Sequence, residues 1–234
     1  MMKLTVLDSG YVQLIETWGS GDAHQSEAGI VEAARQSTQG AFRGWDEDRK
    51  LLRHLYNNQH STPFEFAGMV LEIQAPIFVF REWHRHRTQS YNEMSARYAP
   101  LPFVDYMPTL ERVMHLSTTN KQAQGTGAVL EEERAVDFMN RLRALQVKAE
   151  TVYQDALEWG VPKEVARLAL TVGRYSKMRA SASLRNWLAF LTLRLDQNAQ
   201  FEIREYAKAV ATLVENEFPE TYRLFEKQRL LDLI

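Results

Sequence analysis

Apolar and polar residues alternate loosely over 3–8 and 11–16 with Gly10 between them, which predicts a short hairpin of paired strands. The pattern then turns helical from Ser26 to Arg35 and again from Asp46 to Tyr56, where Leu51, Leu52, Leu55 and Tyr56 share a face. "NNQHSTPFEF" from Asn57 reads as a connector that leads into a strand, "GMVLEIQA", from Gly68. Pro76 stands where a helix opens, and that helix is expected to carry "IFVFREWHRHR". A proline-punctuated loop (99–108) and a polar, mobile stretch (117–127) come next. Leu130, Phe138, Met139, Leu142, Leu145, Ala149, Val152, Tyr153 and Ala156 hold helical spacing, with Glu131 to Glu133 favourably placed in the first turns. "GVP" at 160–162 ends that helix and starts another. "YSKMRASAS" from Tyr175 alternates as a strand, Leu184 to Leu195 returns to helical spacing, and a final helix carries Ile203, Ala207, Val210, Ala211 and Val214. With no internal repeat and no break in composition, the expectation is one α+β domain over residues 1–234.

Composition narrows the class. The chain has 234 residues, 45% of them hydrophobic and 25% charged, which suits a soluble globular protein. A formal charge of −2 argues against a general binder of nucleic acid or of membrane surfaces. The N-terminal residues lack a secretory pattern and no apolar run approaches the ~20 residues of a membrane span, so a cytoplasmic location is expected. There is no cysteine, which removes disulfides, thiolate metal sites and cysteine nucleophiles together.

Against that near-neutral background, two stretches are basic. Arg81, Arg85, Arg87 and Arg97 surround two histidines in "REWHRHRTQSYNEMSARY". From Lys163 to Leu195 seven cations face one acid, Glu164. Such runs are a solvated face, a nucleic-acid grip, or the walls of an anion site, where the planar fork of arginine gives paired bonds to phosphate. His60, His84 and His86 also allow a metal-dependent nucleotide hydrolase, although no HExxH pattern occurs; neither does GxGxxG or a P-loop.

"RHRTQSYNEMSARY" (85–98) closely resembles the signature of the flavin-dependent thymidylate synthases. "AARQS" (33–37) and "HSTPFEF" (60–66) are similar to that family's upstream flavin segments. "AR" at 166–167, "SLR" at 183–185 and "LRLDQNAQFEI" (193–203) follow in the family's order. The resemblance spans nearly the whole chain and is loosest over 99–160. It implies an α+β fold with an antiparallel sheet flanked by helices, bound FAD, NADPH as reductant, and methylenetetrahydrofolate as carbon donor for converting dUMP to dTMP. It further implies a homotetramer with active sites shared between subunits and no nucleic-acid or membrane partner. A flavin-dependent uridylate C5-methylase or hydroxymethylase is the alternative within the family.

The same resemblance assigns roles. Ser37, Thr62 and Glu65 fall at the adenylate half of FAD, and His60 and Asn92 near its ring. Arg85, His86, Arg87, Glu93, Ser183 and Arg185 complete the cofactor positions. Glu82, Arg85, Glu93, Met94, Ser95, Ala96, Arg97, Arg167 and Arg194 fall at dUMP, with Ser95 and Arg97 at the phosphate. Arg194 is the catalytic candidate, set against the uracil ring, where Leu191, Leu193 and Leu195 are expected to exclude water. No metal site is implied. Four positions depart from the family pattern: Glu82 replaces a common glutamine, Ser183 and Ala189 replace asparagines, and Asn198 replaces a histidine. The Glu82 carboxylate is expected to pair with Arg81 or Arg85.

Overall fold

The computed structural model describes residues 2–19, 26–38, 40–116 and 128–231; the polar stretch 117–127 lies outside the described residues. The predicted hairpin forms as β1 (Lys3–Val6) and β2 (Gly10–Trp18). Gly10 is required there, because a Cβ would sit 1.9 Å from the Tyr206 hydroxyl oxygen. Strands β3 (Gly68–Pro76), β4 (Ser90–Glu93) and β7 (Tyr175–Ser183) extend the hairpin into a five-stranded sheet of order β1-β2-β3-β7-β4. All its pairings are antiparallel. A separate two-stranded piece pairs β5 (His115–Leu116) with β6 (Ala128–Val129).

The register explains the two faces. Met69, Leu71 and Ile73 of β3 lie opposite Ala182, Ala180 and Met178 of β7, and all six are buried. On the alternate positions Glu72 faces Arg179 and Gln74 faces Lys177, so one face is polar, as antiparallel sheets allow. Helices cover the apolar face: α1 (Ala28–Arg35), α2 (Trp45–Asn57), α3 (Ile77–Trp83), α7 (Leu184–Arg194) and α8 (Phe201–Glu217). Trp83, Trp187, Phe190 and Tyr206 fill the space between them, none more than 1% exposed.

The remaining helices are α4 (Leu110–Met114), α5 (Glu132–Glu158), α6 (Lys163–Ala166) and α9 (Pro219–Leu231). Helix α5 is tied to the 99–108 loop through Arg174, which is fully buried and donates to Glu150 (2.6 Å) and the Pro102 carbonyl (2.8 Å), with Asp105 at 3.2 Å. A buried arginine with two carboxylates keeps its charge balanced.

Two expectations are corrected. Helix α3 was expected to run through Arg87, but it stops at Trp83, with Pro76 as its N-cap. The Tyr91 hydroxyl lies 3.1 Å from the Trp83 carbonyl and 2.8 Å from that of His86, so it serves the carbonyls a continuing helix would have bonded. The C-terminal region also holds two helices instead of one. The carboxylate of Glu27 accepts from the N–H groups of Glu220 and Thr221 (2.7 and 2.8 Å) and from the Thr221 hydroxyl (2.7 Å), which fixes the start of α9.

Candidate active site

The candidate residues assemble into separate groups, and helix α7 spans two of them. Arg185 sits in its first turn and Arg194 in its last, about 14 Å apart at the ~1.5 Å rise of an α-helix.

At the Arg185 end, two cavities of about 650 and 460 Å³ share Leu55 and His60 as walls. The larger is floored by Leu55, Phe64, Leu188, Ala189 and Phe225 and edged by Asn57, Gln59, Ser61, Arg185 and Thr192. The smaller is lined by Ala34, Arg35, Ser37, Thr38 and His54, among others. Local structure sets these positions. Ser37 lies in a 3-10 turn (Gln36–Thr38) after α1 and donates to the Ala34 carbonyl, and Thr62–Glu65 forms a second 3-10 turn. Glu65 is ion-paired with Arg185, and Arg35 with the buried Asp48. The His60 ring stands edge-on to His54, 5.6 Å between centroids. Ser183 stands at the N-cap position of α7, but its hydroxyl makes no capping bond and is buried and unpartnered among the described residues.

At the Arg194 end, the guanidinium is held on three sides. Nε donates to His86 Nε2 (2.8 Å), Nη1 to the Glu82 carboxylate (2.9 Å), and Nη2 to the Glu82 carbonyl (2.7 Å). Because His86 accepts at Nε2, its neutral ring carries the proton on Nδ1. Burial pushes the imidazole down to about 4, and the Arg194 charge pushes the same way against an opposing effect of Glu82. Phe190 packs edge-on to the ring at 4.8 Å. Two expectations change here. The main partner of Glu82 is Arg194, because Arg85 reaches it only at 3.7 Å and Arg81 makes no ion pair among the described residues. The water-excluding wall is thinner than expected: Leu191 is buried, whereas Leu193 is 62% exposed.

A third group forms between the segment after β4 and helix α6. Arg97 Nε lies 2.9 Å from the Glu164 carboxylate, Arg167 Nε donates to the Glu164 carbonyl (3.3 Å), and Lys163 reaches the Tyr98 carbonyl (3.0 Å). The Ser95 hydroxyl accepts from the Arg97 N–H at 3.3 Å, and Ala96 is buried beneath. In the sequence Glu164 and Lys163 figure only as members of the basic stretch from Lys163 to Leu195, and it is the fold that sets them against Arg97, Arg167 and Tyr98.

Asn92 and Glu93 lie on edge strand β4, where with Met94, Glu72, Lys177 and Arg179 they line a shallow cavity of about 230 Å³. Arg85 and Arg87 are exposed. The metal grouping is not formed among the described residues: His84 Nε2 rests 3.2 Å from the Met178 sulfur, and His86 is bound to Arg194.

An apolar groove edged by cations and amides, with a braced arginine at the far end of the same helix, suits a flat aromatic cofactor carrying phosphates and an anionic substrate. Residues 13–220 match the family model described as thymidylate synthase complementing protein, and the chain belongs to this family. It is 34% identical over 226 residues to the flavin-dependent thymidylate synthase of Thermotoga neapolitana, spanning 97% of this chain and 95% of that protein. To a flavin-dependent thymidylate synthase of Thermus thermophilus it is 38% identical over 229 residues, spanning 98% and 80%. Among solved structures it is similar to the UMP/dUMP methylase PolB from Streptomyces cacaoi bound with 5-Br UMP, with a TM-score of 0.81 and 29% identity over 95% of this chain and 96% of that one.

Proposed function

We propose that this protein is an FAD-dependent enzyme that converts dUMP to dTMP, with methylenetetrahydrofolate as carbon donor and NADPH as reductant. The observation that carries the reading is the near-full-length match to the family, 34–38% identical to the two synthases compared above.

The residues present fit FAD. The groove at the Arg185 end offers apolar floors for ring systems (Leu55, Phe64, Leu188, Phe225), a cation for phosphate (Arg185), and hydroxyls and amides at its rim. Ser37, His60, Thr62, Glu65 and Arg185 would hold it there, with Arg85, His86, Arg87, Asn92, Glu93 and Ser183 completing the contacts across the assembly. Once bound and reduced by NADPH, the flavin would supply the hydride and mediate one-carbon transfer, chemistry no side chain offers.

The chain's own task is recognition and electrostatics. Without cysteine, the pyrimidine is not activated by a thiolate. Uracil C5 becomes nucleophilic when negative charge on the base is stabilised, and Arg194 supplies a fixed cation for it. The phosphate is assigned to Ser95, Arg97 and Arg167, and the remaining dUMP contacts to Arg85, Glu93, Met94 and Ala96; the Glu82 carboxylate, expected at dUMP, is turned onto Arg194 instead.

The assembly is read as a homotetramer with shared sites. Two observations support it: no hydrogen bond or ion pair joins the Arg97–Arg167 group to the Arg194 group among the described residues, and helix α5 with its C-cap Trp159 exposes Phe138, Leu145, Val152 and Trp159 at seven-residue spacing. No described helix is long and apolar enough to cross a membrane; the proposed site of action is the cytoplasm, with no nucleic-acid partner. Mixing Arg85→Ala and Arg97→Ala variants should restore activity through hybrid sites, and a fully active monomer by light scattering would refute the sharing.

The purified protein should be yellow, bleach with NADPH, and form dTMP from dUMP and methylenetetrahydrofolate. A colourless protein that neither binds FAD nor makes dTMP refutes the reading. The likeness to a UMP/dUMP methylase supports a second one, that UMP is methylated as well, which competition between UMP and dUMP in the same assay decides.

A further inference from the structure

We infer that Glu82 is a positioning residue for Arg194: it aims the guanidinium and sets how much positive charge that group presents to its ligand. The inference rests on the reading that Arg194 faces the pyrimidine.

Glu82 contributes twice to the same side chain. Its backbone carbonyl takes Nη2 at 2.7 Å and its carboxylate takes Nη1 at 2.9 Å, while His86 Nε2 takes Nε at 2.8 Å. All three acceptors come from the end of α3 and the turn after it, whereas Arg194 comes from the last turn of α7. The guanidinium is therefore clamped between two helix ends. Three of its five N–H groups are spent, and two have no partner among the described residues. Its side chain is only 14% exposed, so the clamp works where water screens little.

The two contributions of Glu82 differ in kind. The carbonyl would be present whatever residue stood at 82, so it supplies orientation alone. The carboxylate supplies orientation and also a full negative charge within hydrogen-bond distance of the cation. Arg85 draws little of that charge away: it lies 3.7 Å off, on a side chain 74% exposed. Orientation favours the reaction, because a preorganised donor is worth ~10²–10³ in rate. Neutralisation opposes it, since the field at a nascent uracil anion is that of a dipole instead of a cation. Glutamine at 82 separates the two, because its amide oxygen can accept the same bond without the charge.

The test uses pre-reduced, FAD-loaded enzyme in single-turnover dTMP formation, with dUMP affinity measured separately. Glu82→Gln should match or exceed the wild-type rate by up to ~10-fold, with dUMP affinity within about 2-fold. Glu82→Ala should lose ~10-fold or more in rate with affinity little changed. If Glu82→Ala fails to fold, Glu82→Asp carries the same test, since its carboxylate is withdrawn by one methylene and the rate should again fall. A second readout needs no activity. The Arg194 Nη1–H resonance of the flavin-free protein, the one donated to the Glu82 carboxylate, should be protected from exchange in wild type and Glu82→Gln, and exposed in Glu82→Ala. A wild-type rate and a protected resonance in Glu82→Ala overturn the inference. So does an equal loss of dUMP affinity in all variants at unchanged rate, which makes Glu82 a substrate ligand. A wild-type protein that makes no dTMP while the resonance behaves as expected refutes the proposed function and leaves the clamp standing.

Discussion

Replacing Glu164 by glutamine should tighten dUMP binding, although no sequence pattern marks this residue as part of a site. Its carboxylate lies 2.9 Å from Arg97 while its carbonyl takes Arg167, so it stands between the two arginines proposed for the phosphate. The Arg97–Glu164 side chains are 55% and 52% exposed, and a pair so wet contributes ~0–1 kcal/mol, so a phosphate can open it cheaply. The displaced carboxylate still stays nearby. At a separation of ~6 Å in water-like dielectric, each unit of negative charge on the phosphate meets ~0.7 kcal/mol of repulsion. A phosphate monoester carries about −1.5 to −2, so the penalty is ~1–1.4 kcal/mol, roughly halved by screening at ~0.15 M salt. Glu164→Gln removes it, which predicts dUMP affinity ~2–3-fold tighter at ~0.15 M salt and up to ~10-fold at low salt. Arg97→Ala should act oppositely, since losing charge-assisted bonds costs ~1.5–3 kcal/mol, or about 10–150-fold. Calorimetric titration of FAD-loaded protein with dUMP at both salt concentrations measures each shift. Unchanged or weaker binding by Glu164→Gln at low salt would show that the phosphate docks elsewhere.

Three further outcomes are expected. Arg194→Ala should keep FAD and still oxidise NADPH while single-turnover dTMP formation falls ~10²–10³-fold, with only partial rescue by lysine; near wild-type turnover would remove Arg194 as the activating group. His86 is held neutral down to about 4, below its unfolded value near 6.5, so the unfolded state binds more protons between those values and stability falls as pH drops through that window. The full shift would be worth ~3 kcal/mol, but the ring is only half buried, so about half of that should appear as the difference in pH dependence between wild type and His86→Gln in chemical denaturation. Glu27→Ala should cost ~1–2 kcal/mol by uncapping α9 and should weaken FAD retention, since Phe225 and Gln228 of that helix line the groove; equal FAD affinity in both proteins would disconnect α9 from the cofactor.

How far the sequence reaches depends on where each element gets its stability. Strands β3 and β7 were legible because each buries one side of its alternation, and Met69–Leu71–Ile73 meets Met178–Ala180–Ala182 across the register. Helix α9 was not, since only Thr221 and Phe225 are buried among its residues. Its start is fixed by Glu27, more than 190 positions away, which no window along the chain can see. The end of α3 escaped for a related reason. Residues 77–87 keep helical composition, and the break comes from Tyr91 after the turn.

The arginines answer differently to the same question. Motif spacing marked most of the basic positions but did not distinguish those that serve the fold from those that wait for a ligand. Pairing makes that distinction. Arg174 is fully buried between Glu150 and Asp105 and serves the fold. Arg35, Arg185 and Arg194 each hold one close acid, Asp48, Glu65 and Glu82, so their groups stay nearly neutral without a ligand. Arg87 and Arg167 make no ion pair among the described residues, and Arg85 makes only a long one. Those three are exposed cations with little internal compensation, which suits the phosphate-bearing ligands proposed for them. A chain of net charge −2 can thus hold strongly basic sites, because acids at 65, 82 and 164 hold some of the arginines and leave others free.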